Sequence, residues 1–302
     1  MHDQLSMFSE GLEFIEKAEE ALENLDAGKA ESFLMTARSI NPWMARLESL
    51  EKSVQLMKIS LKKENQKGPL LALMWKTVPR WVSERTLTTA EGLWADSIIS
   101  RAAIKTKKQD DFFVDEKNEL HLGSCLLSLN EPGKAHRLLL QTVSHPFLIR
   151  GDLWGYYGDA CFLLGRIKEA NAAYFLALVL DPFSVDVFRL KSQPLLCLYA
   201  KLAMRYGEPD AKSLLLLFGY SQGIINAHPV QSDSNPLWKR IKSMAFSNHI
   251  PRLHRFCLLS LLDQDRDADP EIRLTMKALD AGLFSTYLKR VSAQGKNEEL
   301  WD

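Results

Sequence analysis

The chain has 302 residues, room for about two ordinary domains or one elongated helical array. Its 38 Lys and Arg balance 38 Asp and Glu, so it lacks the basic excess with which a non-specific nucleic-acid binder neutralises phosphate. Hydrophobic residues at 46% and charged residues at 25% are ordinary for a folded chain; dense apolar runs such as Leu214 to Phe218 fall far short of the ~20 residues of a spanning helix.

The opening MHDQLSMFSEGLEF carries early acids and no basic segment before an apolar core, so it does not read as a signal peptide. A cytoplasmic protein with no membrane contact is expected. Leu12, Ile15, Ala18, Ala21, Leu22 and Leu25 recur at helical spacing, with Glu13, Glu16, Lys17, Glu19, Glu20 and Glu23 on the other face. Asp26-Ala27-Gly28 is expected to break this helix. A second follows on Ala30, Phe33, Leu34, Ala37 and Ile40, and Asn41-Pro42 stops it.

A third helix is expected from about Pro42 to Lys62. The polar stretch Lys62 to Pro69 then offers the best candidate boundary. Trp75 and Trp81 sit among Leu70, Leu71, Leu73, Met74 and Val78. They are either core or an exposed aromatic patch for a partner, and core packing is the simpler reading. Thr88 can cap a helix running to about Ile104. After a charged connection at 105–111, Phe112-Phe113-Val114 leads toward the next helix. Apolar-patterned stretches of helical length, separated by short turns, continue to the end. Sustained alternation with period two is scarce, and an all-α fold follows.

Residues 151–184 read GDLWGYYGDACFLLGRIKEANAAYFLALVLDPFS. Trp154, Tyr157, Gly158, Gly165, Ala170, Tyr174, Ala177 and Pro182 fall at the spacing of the tetratricopeptide repeat, a helix pair of about 34 residues that this segment resembles. Gly158 and Ala170 permit close approach of two antiparallel helices, with Trp154, Tyr157 and Tyr174 filling the space around them. Asp152 is placed to cap the first helix, and Pro182 to end the second. Weaker echoes occur at 116–149, with Leu122, Gly123 and Ala135, and at 11–44, with Ala30, Ala37 and Pro42. The resemblance covers about a third of the chain. It implies an α-α superhelix with degenerate or additional helical segments, divided as 1–67, 68–115, 116–184 and 185–302.

Such pairs stack into a curved surface whose inner face holds a peptide or a partner helix. By resemblance, the groove-facing candidates are Asp152, Gly155, Asp159 and Phe162, with Lys117, Leu120, Ser124 and Leu127 in the weaker repeat. The carboxylate-clamp branch of the family needs positive charge where this chain has Gly155, Asp159 and Leu163. Asp152 and Asp159, seven residues apart on one face, would instead suit a basic or polar ligand. The implied function is a non-enzymatic scaffold or adaptor for a protein or peptide partner within a larger assembly, using no cofactor.

Two alternatives stay open. Gly219-Tyr220-Ser221-Gln222-Gly223 matches the G-x-S-x-G elbow of serine hydrolases, with Asp233 and His249 or His254 as further triad members. The elbow needs a strand before Ser221, and a helix ending in a Gly turn is the preferred reading. Local basic faces, at Arg101, Lys105, Lys107 and Lys108 and at Lys239, Arg240 and Lys242 beside Trp238, would suit a nucleic-acid-associated accessory subunit. Solvated helix faces are preferred there, and direct nucleic-acid binding is not expected.

The remaining signals read as structure. Asp263 to Asp269 lacks the Gly and Glu that a calcium loop requires and is expected to be a solvated acidic turn. His249, His254 and Cys257 match no zinc spacing. Cys125, Cys161, Cys197 and Cys257 are scattered, as buried reduced thiols would be.

Overall fold

The computed structural model describes residues 2–44, 46–106, 112–115, 117, 119–145, 150–226, 236–263 and 270–293. These residues form fifteen α-helices and no strand, which bears out the all-α expectation. The chain divides into two compact units, Met1–Thr142 and Val143–Asp302. The division falls inside the stretch 116–184 that the sequence groups together, and not at the polar stretch 62–69.

The first unit begins with α1 (His2–Glu23) and α2 (Ala27–Ile40), which pack side by side. Ile15, Ala18 and Leu22 on α1 are buried, as are Ala30, Leu34 and Ala37 on α2; the small residues let the axes approach. The turn differs from expectation. Leu25 takes the left-handed backbone, φ 61°, while Gly28 lies inside α2. Asp26 is the N-cap, its carboxylate accepting from Lys29 N at 3.0 Å.

α3 (Leu47–Leu61) starts later than the composition suggests, because Pro42 and Trp43 form a turn and Arg46 holds φ 74°. α4 (Lys67–Ser83) takes Gly68 and Pro69 into its first turn and keeps Pro79 within it. Thr88 and Glu91 form a reciprocal capping box at α5 (Thr89–Thr106): Thr88 N donates to Glu91 Oε2 at 2.7 Å, and Glu91 N to Thr88 Oγ1 at 3.2 Å. α5 lies against α1, where Glu23 receives both Arg101 and Lys105.

Phe112 to Val114 does not run into a helix. It folds back as a short antiparallel turn, with Phe113 bridged to His121 and Asp115 Oδ1 accepting from Glu119 N and Leu120 N, each at 2.8 Å. α6 (Leu122–Ser128) therefore begins several residues later than a full repeat would, and α7 (Pro132–Val143) follows. Gly123 permits their contact: a Cβ there would stand 2.5 Å from Leu139 Cγ.

The second unit opens with α8 (Gly151–Leu163) and α9 (Ile167–Leu180), an antiparallel pair turned by Gly165 at φ 73°. A Cβ on Gly158 would lie 2.7 Å from the Tyr174 ring, so only Gly allows this approach. Ala170, Tyr174 and Ala177 are buried as their small and aromatic characters suggest. Asp152 is not the cap of α8. It lies within the first turn, and its Oδ1 accepts from Arg150 Nε at 3.0 Å.

α10 (Gln193–Tyr206) and α11 (Glu208–Ser221) pack together, and α11 also packs on α9 and α13. α12 (Pro236–Ala245), α13 (Arg252–Leu262), α14 (Pro270–Leu279) and α15 (Ala281–Ala293) follow in sequential contact. Asp263, expected in a solvated turn, is instead buried beneath Arg273 and Tyr287. No helix among the described residues is long and apolar enough to cross a membrane.

Candidate partner-binding surfaces

The groove face of α8 is not open. Asp159 is 2% exposed; its Oδ1 accepts from Tyr174 Oη at 2.7 Å and from the backbone N–H of Lys191 at 2.8 Å. Burial pushes its carboxyl up to about 7, partly offset by those two donors. Gly155 is buried, 3.9 Å from Val185 Cγ1 measured from where a Cβ would be. The connection 181–192 thus lies over the middle of α8. A carboxylate held inside by Tyr174 cannot receive a basic ligand at the surface, so the expectation for Asp159 is corrected. Asp152 is half-buried in its pair with Arg150, and Phe162 is half-buried near the end of α8.

In the first unit, Leu120, Ser124 and Leu127 are buried. Ser124 Oγ donates to His121 O at 2.7 Å. Lys117 alone of that group is exposed, and it stands in the turn before α6 and not on a helix. The geometry does not bring these four residues onto one accessible face.

Trp75 is 4% exposed and belongs to the core of the first unit, while Trp81 is half-buried. Packing, the reading preferred from the sequence, therefore describes Trp75, and the alternative of an exposed patch formed by Trp75 and Trp81 is set aside, because the apolar side of α4 turns inward. Trp43, in the turn before α3, is 91% exposed, and Met35 on α2 is 69% exposed. Met35 lines a groove of about 210 Å³ between α2 and α3, with Leu34 and Val54 at its floor and Glu31, Glu51 and Gln55 around it. Lys58 pairs with Glu31, and Arg38 with Glu51, across the rim. Sequence reasoning missed both residues. A lone Met on a helix and a Trp after Pro look like ordinary core, and only the packing reveals which side they face.

Ser221 closes α11 and is not on a strand-to-helix elbow. Its Oγ donates to Phe218 O at 2.8 Å, and Gly223 at φ 69° ends the helix. Leu214 to Phe218, the stretch an elbow needs as strand, is helical. Asp233 lies outside the described residues, as do Lys107 and Lys108. His254 is buried on α13, with Nε2 3.2 Å from Val179 O, and burial lowers its pKa to about 4. Cys257 is buried beside it, and burial pushes its thiol up to about 12, opposite to what a metal-binding thiolate needs. Trp238 is buried, while Lys239, Arg240 and Lys242 are exposed.

No protein-family model, no curated protein and no solved structure matches the chain.

Proposed function

We propose that the chain is a non-enzymatic scaffold or adaptor of the tetratricopeptide-like kind, binding a protein or peptide in the cytoplasm as part of a larger assembly. The observation that carries this reading is the α2–α3 groove, apolar at its floor and bordered by the exposed Met35. Large apolar side chains left in water beside a groove are what a partner-binding surface presents before it is covered. The helix pairs closed by Gly158 against Tyr174 and by Gly123 against Leu139 support the repeat reading, since each places a small residue opposite a large one. The helical setting of Ser221 favours binding over hydrolysis. The four cysteines form no disulfide and three of them are buried, which suits a reducing compartment.

The ligand class is a segment that inserts an apolar anchor between α2 and α3. A photo-cross-linking residue at Met35 tests this, with a second placed at Met204, which is also exposed but lies on α10. A defined partner captured at position 35, and lost with Leu34→Ala or Val54→Ala, supports the groove. Capture only at position 204, or at both positions equally, sinks it. A fluorophosphonate that labels Ser221 would overturn the non-enzymatic reading.

A further inference from the structure

We infer that the exposed face of α12, with the polar hollow beside Arg240, binds an acidic segment of a partner protein and takes one of its carboxylates into the hollow. From Pro236 to Leu262 the sequence has five Lys and Arg and no Asp or Glu, within a chain that is neutral overall. Folding sorts α12 by side. Trp238, Ile241 and Ala245 are buried, while Lys239, Arg240 and Lys242 are exposed. The side chains of Lys239 and Arg240 have no ion pair or hydrogen bond among the described residues. The arginines of α13 are engaged: Arg252 stands 3.7 Å from Asp280, and Arg255 donates to Ala245 O at 3.3 Å and to Asn248 Oδ1 at 3.0 Å. Phe246, directly after α12, is 48% exposed and sets an apolar side chain at the end of the basic run.

Arg240 also lines a hollow of about 320 Å³, together with Arg150, Asp152, Asp181 and Ser184. Two carboxylates stand there, and the chain's own donors serve both. Asp152 Oδ1 accepts from Arg150 Nε at 3.0 Å. Asp181 Oδ1 accepts from the backbone N–H of Phe183 at 3.0 Å and of Ser184 at 3.3 Å. Ser184 Oγ donates to Asp181 O at 2.9 Å. Arg240 has no such acceptor among the described residues. A guanidinium carries five N–H donors in a fork that matches a carboxylate. The charge left unanswered in this hollow is therefore positive.

The same lining selects the class of anion. Asp152 and Asp181 repel a phosphodiester chain, whose phosphates offer acceptors alone. A polypeptide brings backbone N–H donors as well as carboxylates and can answer both signs. A helix that inserts into a membrane surface turns its large apolar side chains outward, whereas Trp238 and Ile241 face the core. An acidic segment with an apolar residue among its acids matches Lys239, Arg240 and Phe246. This surface belongs to the second unit and the α2–α3 groove to the first, so neither reading depends on the other.

Fluorescence anisotropy of the full chain with a dye-labelled peptide of alternating Glu and Leu tests this, at low and at physiological salt. Saturable binding that weakens as salt rises is expected. Charge reversal in Lys239→Glu with Arg240→Glu should weaken it by at least about tenfold. Lys201→Glu with Arg205→Glu makes the same change of charge on the exposed side of α10, and at physiological salt should change binding by less than about threefold. Arg240→Ala alone should cost more than Lys239→Ala, since only the arginine lines the hollow. All these side chains are exposed, so the variants should keep the helical circular dichroism of the wild type. No saturable binding, or equal losses from the two double variants, overturns the surface. Equal losses from the two alanine variants overturn the role of the hollow. A single-stranded oligonucleotide or phosphatidylserine vesicles that bind more tightly than the peptide, and lose that binding in Lys239→Glu with Arg240→Glu, overturn the assignment to a protein partner.

Discussion

Tyr174 donates its hydroxyl to Asp159 at 2.7 Å across the α8–α9 pair, with both side chains buried. The ring of the same tyrosine covers Gly158, so one residue closes the helix contact and satisfies a buried carboxyl. Tyr174→Phe keeps the ring and removes the donor. It should destabilise the chain by about 1–3 kcal/mol, the cost of leaving a buried acceptor short of a partner. Urea unfolding measures this, and a loss below a few tenths would mean that water replaces the hydroxyl.

Gly158→Ala tests the packing side of the same relationship. Its Cβ would meet two ring carbons of Tyr174 at 2.7 Å, and the ring is anchored at its far end by Asp159. A loss of about 1–3 kcal/mol is expected from overpacking, despite the better helix propensity of Ala. Combining Gly158→Ala with Tyr174→Leu should recover part of it, since the anchored ring is then gone.

Two buried groups in the second unit respond to pH with opposite signs. Asp159 is raised to about 7, so its contribution is greatest in acid and is lost as pH rises toward 7. His254 is lowered from 6.5 to about 4, so its neutral form must be protonated in acid and stability falls as pH drops from 6.5 toward 4. In His254→Gln the acid-side loss should shrink, leaving a profile that declines from pH ~4 to pH ~7 with a limiting slope of about 1.4 kcal/mol per pH unit. Thermal unfolding across that range checks the sign. A His254→Gln profile that rises through it would contradict the Asp159 assignment.

Asp263 and Arg273 make an asymmetric pair. The carboxylate side chain is 1% exposed and the guanidinium 51%, with Nε 2.8 Å from Oδ1. Tyr287 Oη adds a second bond to Asp263 at 2.9 Å. Arg273→Ala strands a buried charge, while Asp263→Asn leaves a cation that water already reaches. The arginine variant should therefore be the less stable of the two, by about 1 kcal/mol or more. Parallel chemical denaturation decides, and the reverse order would mean that Tyr287 alone suffices for the carboxylate.

Trp43→Ser and Met35→Asp alter side chains that are mostly in water. Neither should change stability by more than about 0.5 kcal/mol. Both should weaken partner capture by at least about tenfold if these side chains anchor the ligand. Unchanged capture with unchanged stability would place the binding surface elsewhere.

Helical periodicity and local punctuation were legible without any structure. The stripe Ile15, Ala18 and Leu22, the Thr88 cap and the Gly165 turn depend on neighbours within a few residues, so composition alone determined them. Gly158 opposite Tyr174 was legible through the spacing that resembles a tetratricopeptide repeat, whose antiparallel hairpin brings together residues only sixteen apart in sequence. Tertiary structure decided what lies over these helices. The amide of Lys191 reaches Asp159 from thirty-two residues away, and nothing local marks that meeting. Trp75 and Trp43 are the same residue type, yet one is buried and the other stands in solvent, because helix packing sets which side of each segment faces water. Side-chain identity specified the helices and their pairs. Which surfaces remained open depended on long-range contacts that no short window of sequence contains.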